Sequence, residues 1–315
     1  MKKMTSALIL GLLATSALAE DKWWPSKYGK DDQAGSTNLI TAEKIKQAAA
    51  LIKEGKVYSL IRDLEKNMPM YGSRVFALRA TGAPAGDALG DNKVIWNDDF
   101  LSTDIGQVGT QFDALGHFGK RTKDGDVYYN GVKGKDLNGP YGLKRLGVEN
   151  AKPYFTRGIL VNVEAYKGKM LEAGYEVTVD DIKGALKKQG FDAETISSGD
   201  VVIIHTGWGR LWNVDNARFL AGEPGIGVTA AKWLVKKNVS LVGADSTSME
   251  VVPNPKKGQA YDAHQVLLTF NGIHIMENVA SERLADDNVT EFAFSFTPVP
   301  IKGATGSPGN ATAIR

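Results

Sequence analysis

Gln107-Val108-Gly109-Thr110-Gln111-Phe112-Asp113-Ala114-Leu115-Gly116-His117 is the densest run of chemistry-bearing residues in the chain. Glycines flank polar groups that recur at spacings of two and four. In an extended backbone successive side chains alternate between faces, so Gln107, Gln111 and Asp113 are expected to share one face and form an acceptor-rich cluster. His117, four residues further on and past Gly116, falls beside that cluster. The sequence has four histidines, His117, His205, His264 and His274, and no cysteine. Thiolate catalysis, cysteine-ligated zinc and iron–sulfur clusters are therefore excluded, and any metal must be held by histidine, carboxylate, amide or water.

Outward from this segment, short β-branched and aromatic runs are separated by turn residues. Strands are expected at Val57 to Ile61, Arg74 to Leu78, Val94 to Trp96, Ile159 to Val163, Val201 to His205, Val239 to Val242, Ile273 to Met276 and Phe292 to Phe296. Helical patterns lie between the later ones: Val179 to Lys188, capped by Thr178 with Asp181 three residues on, and Thr229 to Lys237, ending near Asn238. An earlier helix is expected after Thr41, where Ile45, Ala48, Ala49 and Ile52 form a stripe read as core before Gly55 ends the pattern. Strands early, then strands alternating with helices, predict a mixed α/β domain: a sheet or barrel with flanking helices. No repeat or long linker divides the chain, so residues 20–315 read as one domain. Gly303 to Arg315, rich in Gly, Ala, Thr, Ser and Pro, is expected to be a mobile tail.

At the N-terminus, Lys2 and Lys3 precede an apolar run from Ala7 to Ala14 and then Ala17-Leu18-Ala19 before Glu20. This pattern predicts a secretory signal peptide over residues 1–19, cleaved after Ala19, and a periplasmic or secreted mature protein. No segment has the ~18 uncharged apolar residues of a membrane-spanning helix, so membrane insertion is not expected. Lys plus Arg total 38 against 36 Asp plus Glu, without a basic stripe, which argues against nucleic acid as a partner. A small molecule is the expected partner.

The remaining histidines read differently. His205 ends the apolar run Val-Val-Ile-Ile-His and is expected to be a satisfied strand-end residue; His274 alternates with Ile273 and Ile275 and is expected to point away from Glu277. Asp245 and Glu250 are candidates for groups that support a site from behind. Gly225-Ile226-Gly227-Val228-Thr229-Ala230 matches a loose Gly-x-Gly-x-x-Ala, but it lacks a tight preceding strand and an acidic ribose ligand, so it reads as a helix-start loop. Neither a Gly-x-Ser-x-Gly elbow, a P-loop nor His-Glu-x-x-His occurs, which leaves serine hydrolase, nucleotide hydrolase and zincin readings without support.

The 107–117 segment resembles the signature His-x-Gly-Thr-His-x-Asp-x-x-x-His of the cyclase family, the kynurenine formamidase-like metal-dependent hydrolases. Gly109, Thr110, Asp113 and His117 match it, while Gln107 and Gln111 stand at the two earlier histidine positions. That variant is similar to a bacterial subgroup reading Gly-Thr-Gln-x-Asp-Ala-Leu-Gly-His. Tyr28 to Thr41 resembles the family's amino-terminal Tyr-Gly-x-Asp-Asp-x-x-Gly-x-x-Asn-Leu-Ile-Thr stretch. Tyr129-Asn130-Gly131, Thr206-Gly207-Trp208, Gly243-Ala244-Asp245, and His264 followed by Gly272 and Glu277-Asn278 are similar to its later blocks.

The resemblance implies the family's swivelling β/β/α fold, a homodimer and a hydrolase acting on a small amide, formamide, lactam or ester. It implies Asp113, His264 and Glu277 as metal ligands, with Gln111 and Gln107 at further ligand positions, and His117 as general acid or base. Such a donor set suits Mn²⁺ or Zn²⁺, one ion or two, with Mg²⁺ or Ca²⁺ as alternatives. Trp23, Trp24, Phe112 and Tyr261 are candidate walls for the substrate. Two other classes stay open: a small-molecule or metal-binding protein on the same fold, and a lyase or isomerase using the same metal.

Overall fold

The computed structural model describes residues 22–81 and 88–315. The leader expected over residues 1–19 lies outside the described residues. In chain order the strands that build or flank the main sheet are β1 (Val57–Ser59), β2 (Phe76–Ala80), β3 (Asp99–Thr103), β4 (Gln111–Asp113), β5 (Tyr154–Asn162), β6 (Val201–His205), β7 (Leu241–Ala244), β8 (His274–Glu277), β9 (Glu291–Phe296), β10 (Gly306–Pro308) and β11 (Thr312–Ile314). All but β2 and β3 form a curled nine-stranded sheet in the order β1-β11-β9-β5-β6-β7-β8-β4-β10. Its centre, β5 to β8, is parallel and both wings are antiparallel. The expected mixed α/β architecture with a sheet and flanking helices is what the chain adopts.

A parallel strand covered on both faces needs apolar residues at every position. β6, Val-Val-Ile-Ile-His, is buried throughout. Val202 and Ile204 face one core layer with Ile159, Val242 and Ile275, closed by the helices over Val179–Lys188 and Val228–Lys237; Val201 and Ile203 face a second with Leu160, Leu241 and Met276. Fully burying each such side chain contributes roughly 1.5–3 kcal/mol, so the central strands are the rigid frame of the molecule.

The helices are α1 (Ala42–Ala49), α2 (Val179–Lys188) and α3 (Val228–Lys237). The Thr178 capping box forms as expected: Asp181 N donates to Thr178 Oγ1 at 3.1 Å and Thr178 N donates to Asp181 Oδ2 at 3.0 Å. Asn238, in the left-handed region at φ 60°, ends α3. α2 and α3 supply Ile182, Leu186, Ala231 and Leu234 to the first layer. The α1 stripe departs from expectation. Thr41 caps it, but Ile45 and Ile52 are 42% and 38% exposed and only Ala48 is buried. The helix lies against β5 through this small residue, which brings the backbones close and leaves the longer side chains at the rim.

Two further corrections concern irregular-looking sequence. Gly303 to Arg315 is not a free tail: it provides β10, beside β4, and β11, between β1 and β9. Its small residues answer to close packing. A Cβ at Gly306 would sit 2.7 Å from the Phe112 carbonyl, and Ala311 and Ala313 are fully buried. Val94 to Trp96 forms no strand, only a bridge between Val94 and Leu89. Instead β2 pairs with β3 in a separate antiparallel hairpin whose Leu78, Phe100 and Leu101 are more than half exposed. Among the described residues no helix is long and apolar enough to cross a membrane.

Candidate metal centre

The antiparallel register of β4 and β8 sets Gln111 opposite Glu277 and Asp113 opposite Ile275. Alternation along each strand then projects Gln111, Asp113 and Glu277 from one face, and Phe112, Met276 and His274 from the other. The segment before β8 contributes His264 from a single α-helical turn, Asp262–His264, that runs on into a π-helix, Gln265–Thr269. Glu250 terminates that turn, accepting from Ala263 N at 3.1 Å and His264 N at 3.0 Å. The same carboxylate takes the His264 ring at Nδ1, 2.9 Å, which turns Nε2 toward Glu277 Oε1 at 3.2 Å. A carboxylate behind a histidine ring fixes its orientation and tautomer for metal ligation through the other nitrogen.

One potential ligand atom from each of Asp113, His264 and Glu277 lies within 4.8 Å of the others, and all three residues are buried. Asp113 Oδ2 is buried without a hydrogen-bond partner among the described residues. Burial, reinforced by Glu277 and opposed by His264, pushes the Asp113 carboxyl well above the usual carboxylate range. Burial also disfavours charge on His264, but Glu250 and Glu277 outweigh it and lift the imidazole to about 10. Asp113, Glu277 and Glu250 thus crowd one imidazole in a dry site, which is costly unless further positive charge joins them. An orphaned carboxylate oxygen and an acid-rich, histidine-containing donor set fit a divalent cation.

Gln107 and Gln111 both reach Glu277. Gln107 Nε2 donates to Glu277 Oε2 at 2.6 Å, Gln111 Nε2 donates to the same oxygen, and Gln111 Oε1 accepts from Gln107 N. Gln107 arrives from a turn, φ 62°, rather than from an extended strand, so the expected shared strand face holds for Gln111 and Asp113 alone. The two amides act on Glu277 as donors, and the Gln111 oxygen expected as a ligand is engaged by backbone.

His117 lies just beyond β4, its Nε2 4.0 Å from Asp113 Oδ1. Its ring borders a cavity of about 260 Å³ that is also lined by Arg74, Phe118, Glu223, Tyr261 and His264. Burial lowers the His117 imidazole to about 4, with Glu277 opposing and the charges of His264 and Arg74 assisting, so the ring is neutral near pH 7. Of the expected aromatic walls, Tyr261 lines the cavity and stands edge-on to His264 at 5.4 Å. Phe112 does not: it points to the opposite face of β4, fully buried in the second core layer and stacked on His274 at 4.7 Å. Trp24 is elsewhere too, packed over Gly131 and edge-on to Trp23 at 4.7 Å, while Trp23 rests against Phe270. The alternation that sends Gln111 and Asp113 into the site necessarily sends Phe112 into the core.

His274 faces away from Glu277, bonding the Asp113 and Ala34 carbonyls at 2.9 and 3.2 Å. His205 is held by Ser281 at 2.8 Å and Glu164 at 3.0 Å, away from the metal-type cluster. Asp245 serves that second region, accepting from Thr206 Oγ1 at 2.7 Å, whereas Glu250 backs His264. The sequence reading missed Glu223 and Arg74. Glu223 is 3% exposed and accepts from Thr247 N and Ser248 N at 2.5 and 2.8 Å; burial raises it to about 8, Ser248 opposing. An acid in Ala-Gly-Glu-Pro-Gly carries no local mark distinguishing it from a solvated loop carboxylate.

A curled mixed sheet holding a buried Asp–His–Glu cluster beside a small cavity defines an α/β protein with a candidate metal centre. The Cyclase family model (Putative cyclase) matches residues 58–251, and the chain belongs to that family. A crystal structure described as a novel cyclase is 32% identical, with 92% of this chain and 98% of that chain covered and a TM-score of 0.80. Two isatin hydrolases A share the fold at 20% identity. The one from Ralstonia solanacearum covers 82% of this chain and 92% of its own, TM-score 0.61; the one from Labrenzia aggregata, bound to benzyl benzoate, covers 84% and 94%, TM-score 0.62. No curated protein matches the sequence.

Proposed function

We propose that the protein is a metal-dependent hydrolase of a small amide, formamide, lactam or ester. The observation that carries this is the unpartnered Asp113 Oδ2, buried where His264 Nε2 and Glu277 converge beside a cavity. Family membership supports the reading, as does a fold shared with proteins named for hydrolysing isatin. Asp113, His264 and Glu277 would hold one divalent ion, Mn²⁺ or Zn²⁺ by the donor set. Such an ion supplies Lewis acidity, acidifying water and polarising a carbonyl.

The chain's own residues do the rest. Gln107 and Gln111 steady Glu277 through Oε2, and Glu250 holds the His264 ring. His117, neutral and facing the cavity, accepts a proton at Nε2 from the attacking water and returns it to the leaving nitrogen or oxygen. Tyr261 and Phe118 form apolar walls that keep bulk water from the reacting carbonyl. The proposal also places the mature protein in the periplasm after cleavage behind Ala19, and assembles it as a homodimer. The dimer would cover the β2–β3 hairpin, which exposes apolar side chains and, as an isolated two-stranded unit, is marginally stable in water.

The test is elemental analysis of the mature protein purified without chelator, with hydrolysis assays on N-formylkynurenine, isatin and simple lactones. Stoichiometric manganese or zinc with turnover supports the reading. No metal even after reconstitution overturns it and favours a small-molecule-binding protein on this fold.

A further inference from the structure

Glu223 brings a further acid to the cavity, from a part of the chain that carries no proposed metal ligand. It borders the space together with Thr247 and Ser248, on the same lining as His117 and His264. Its backbone is locked to Val252 in both directions, Glu223 N donating to the Val252 carbonyl at 2.7 Å and Val252 N to the Glu223 carbonyl at 3.0 Å. The hydrogen bonds its carboxyl accepts come from neutral groups: Thr247 N on Oε2, Ser248 N on Oε1 and the Ser248 hydroxyl on Oε1. Among the described residues Oε2 takes that single bond, which leaves it a second lone pair for a proton. Burial raises the carboxyl to about 8 against the Ser248 hydroxyl bond, with Glu277 adding and the two backbone bonds subtracting, so near pH 7 it holds its proton. Tyr71, Arg74, His117, Tyr261 and His264 share the cavity with it. Beside it, Thr247 carries a hydroxyl buried without a hydrogen-bond partner among the described residues. An unmet polar group on a cavity lining marks a place where a polar atom of a ligand belongs.

Hydrolysis of an amide or ester moves protons at two atoms. The attacking water gives one up as its oxygen bonds the carbonyl carbon. The leaving nitrogen or oxygen takes one up as its bond to that carbon breaks and the electron pair stays with it. A single residue serves both atoms only by reaching each in turn, whereas an acid and a base held apart on one cavity serve them without moving.

We propose that Glu223 is the proton donor to the leaving group of this site, with His117 confined to the attacking water. The proton passes from Glu223 Oε2 to the leaving nitrogen or oxygen. Solvent water then returns a proton to Glu223 and removes the one His117 took, so the protein ends as it began. This rests on the hydrolase reading, and the test separates the two. Metal-loaded wild type and its Glu223→Gln variant are assayed on 4-nitrophenyl acetate, whose leaving group departs without a proton, and on acetanilide, whose leaving group needs one. Metal content and circular dichroism are measured in each. The expected loss in kcat for Glu223→Gln is about 10²-fold or more larger on the anilide than on the ester. In wild type, turnover of the anilide falls on the basic side as Glu223 loses its proton; that limb is missing from the ester and from the variant. Equal losses on both substrates, or none on either, would overturn the donor role alone and leave Glu223 as an anchor for the Thr247–Ser248 loop. Wild type that hydrolyses neither substrate overturns the hydrolase reading and the donor role together. A readout without turnover is the carboxyl C=O stretch in the infrared difference between wild type and variant near pH 7: its presence places the proton on Glu223, and its absence overturns the proposal. Should Glu223→Gln not fold, wild type decides, since a basic limb shared by both substrates removes the leaving group from the argument and with it the donor role.

Discussion

Each side chain at the centre has one job, and the jobs separate experimentally. Asp113 contributes the orphaned oxygen, so Asp113→Asn should fold yet lose metal, read by elemental analysis beside circular dichroism; metal retained at wild-type stoichiometry would remove Asp113 from the ligand set. His117→Ala should keep the metal and lose about 10²–10⁴-fold in turnover, the usual contribution of a proton-transferring side chain. Glu250 reaches His264 through the far ring nitrogen and the backbone N–H, and also accepts from Ala263 N. Glu250→Gln should therefore weaken metal binding by about 10–100-fold, the typical cost of losing such a partner, measured by competition with a chelating dye. Asp113 and His117 were legible in the sequence as candidates by residue type and spacing, and His264 and Glu277 as candidates through the family resemblance. Glu223 and Arg74 were not, because their part in the site comes from the cavity they border and not from any local pattern.

At the scale of elements, the C-terminal strands matter most. β10 pairs with β4 through Gly306, Ser307 and Pro308, opposite Asp113, Phe112 and Gln111, so these C-terminal residues brace the strand that bears the proposed ligand Asp113. Deleting residues 303–315 would expose the edge of β4 and strip β11 from between β1 and β9. The expected outcome is a lower melting temperature together with reduced metal retention; a truncated protein with unchanged metal affinity would show that β4 holds its shape without β10. A composition of Gly, Ala, Ser and Thr reads as flexible when only local preference is considered. It becomes strand when Phe112 and Thr110 leave no room for larger side chains, as the close approaches at Gly306 and Gly309 demonstrate. The opposite error occurred at α1, whose stripe of Ile45 and Ile52 has the helical period of a core face but stays largely outside.

For the whole molecule, two properties follow from groups far from the candidate metal site. Glu164 accepts from His205 and Arg210, bonds that hold its carboxyl down to about 2 from its ordinary 4.5, and it links α-helical turn Val163–Lys167 to the sheet. A depressed carboxylate contributes stability that is complete above its unfolded pKa and is lost as pH falls through its folded one. Glu164→Gln should therefore lower stability at neutral pH and flatten its decline between about pH 4.5 and 2, measured by denaturant unfolding across pH. Parallel curves for the two proteins would mean the ion pair is energetically silent. Leu78 and Leu101 stand opposite each other on the exposed hairpin. If that hairpin is the dimer contact, the double variant Leu78→Glu with Leu101→Glu should run as a monomer in light scattering, with the β5–β8 core unaffected.

The sequence by itself determined the mixed α/β class, the central apolar strands, the capped helices α2 and α3 and the family resemblance, which in turn named Asp113, His117, His264 and Glu277 as candidates. The class, strands and helices depend on alternation, capping chemistry and residue type, which are properties of short windows. Tertiary structure alone decided that Phe112 and Trp24 leave the site, that Gln107 and Gln111 clasp Glu277, that the tail completes the sheet and that Arg74 faces the cavity. Each of those depends on strand register and on contacts between segments distant in the chain, as when Gln111 meets Glu277 across 166 positions. No local pattern encodes which partner a side chain will find once a strand is paired, and at this site the partner sets the chemistry.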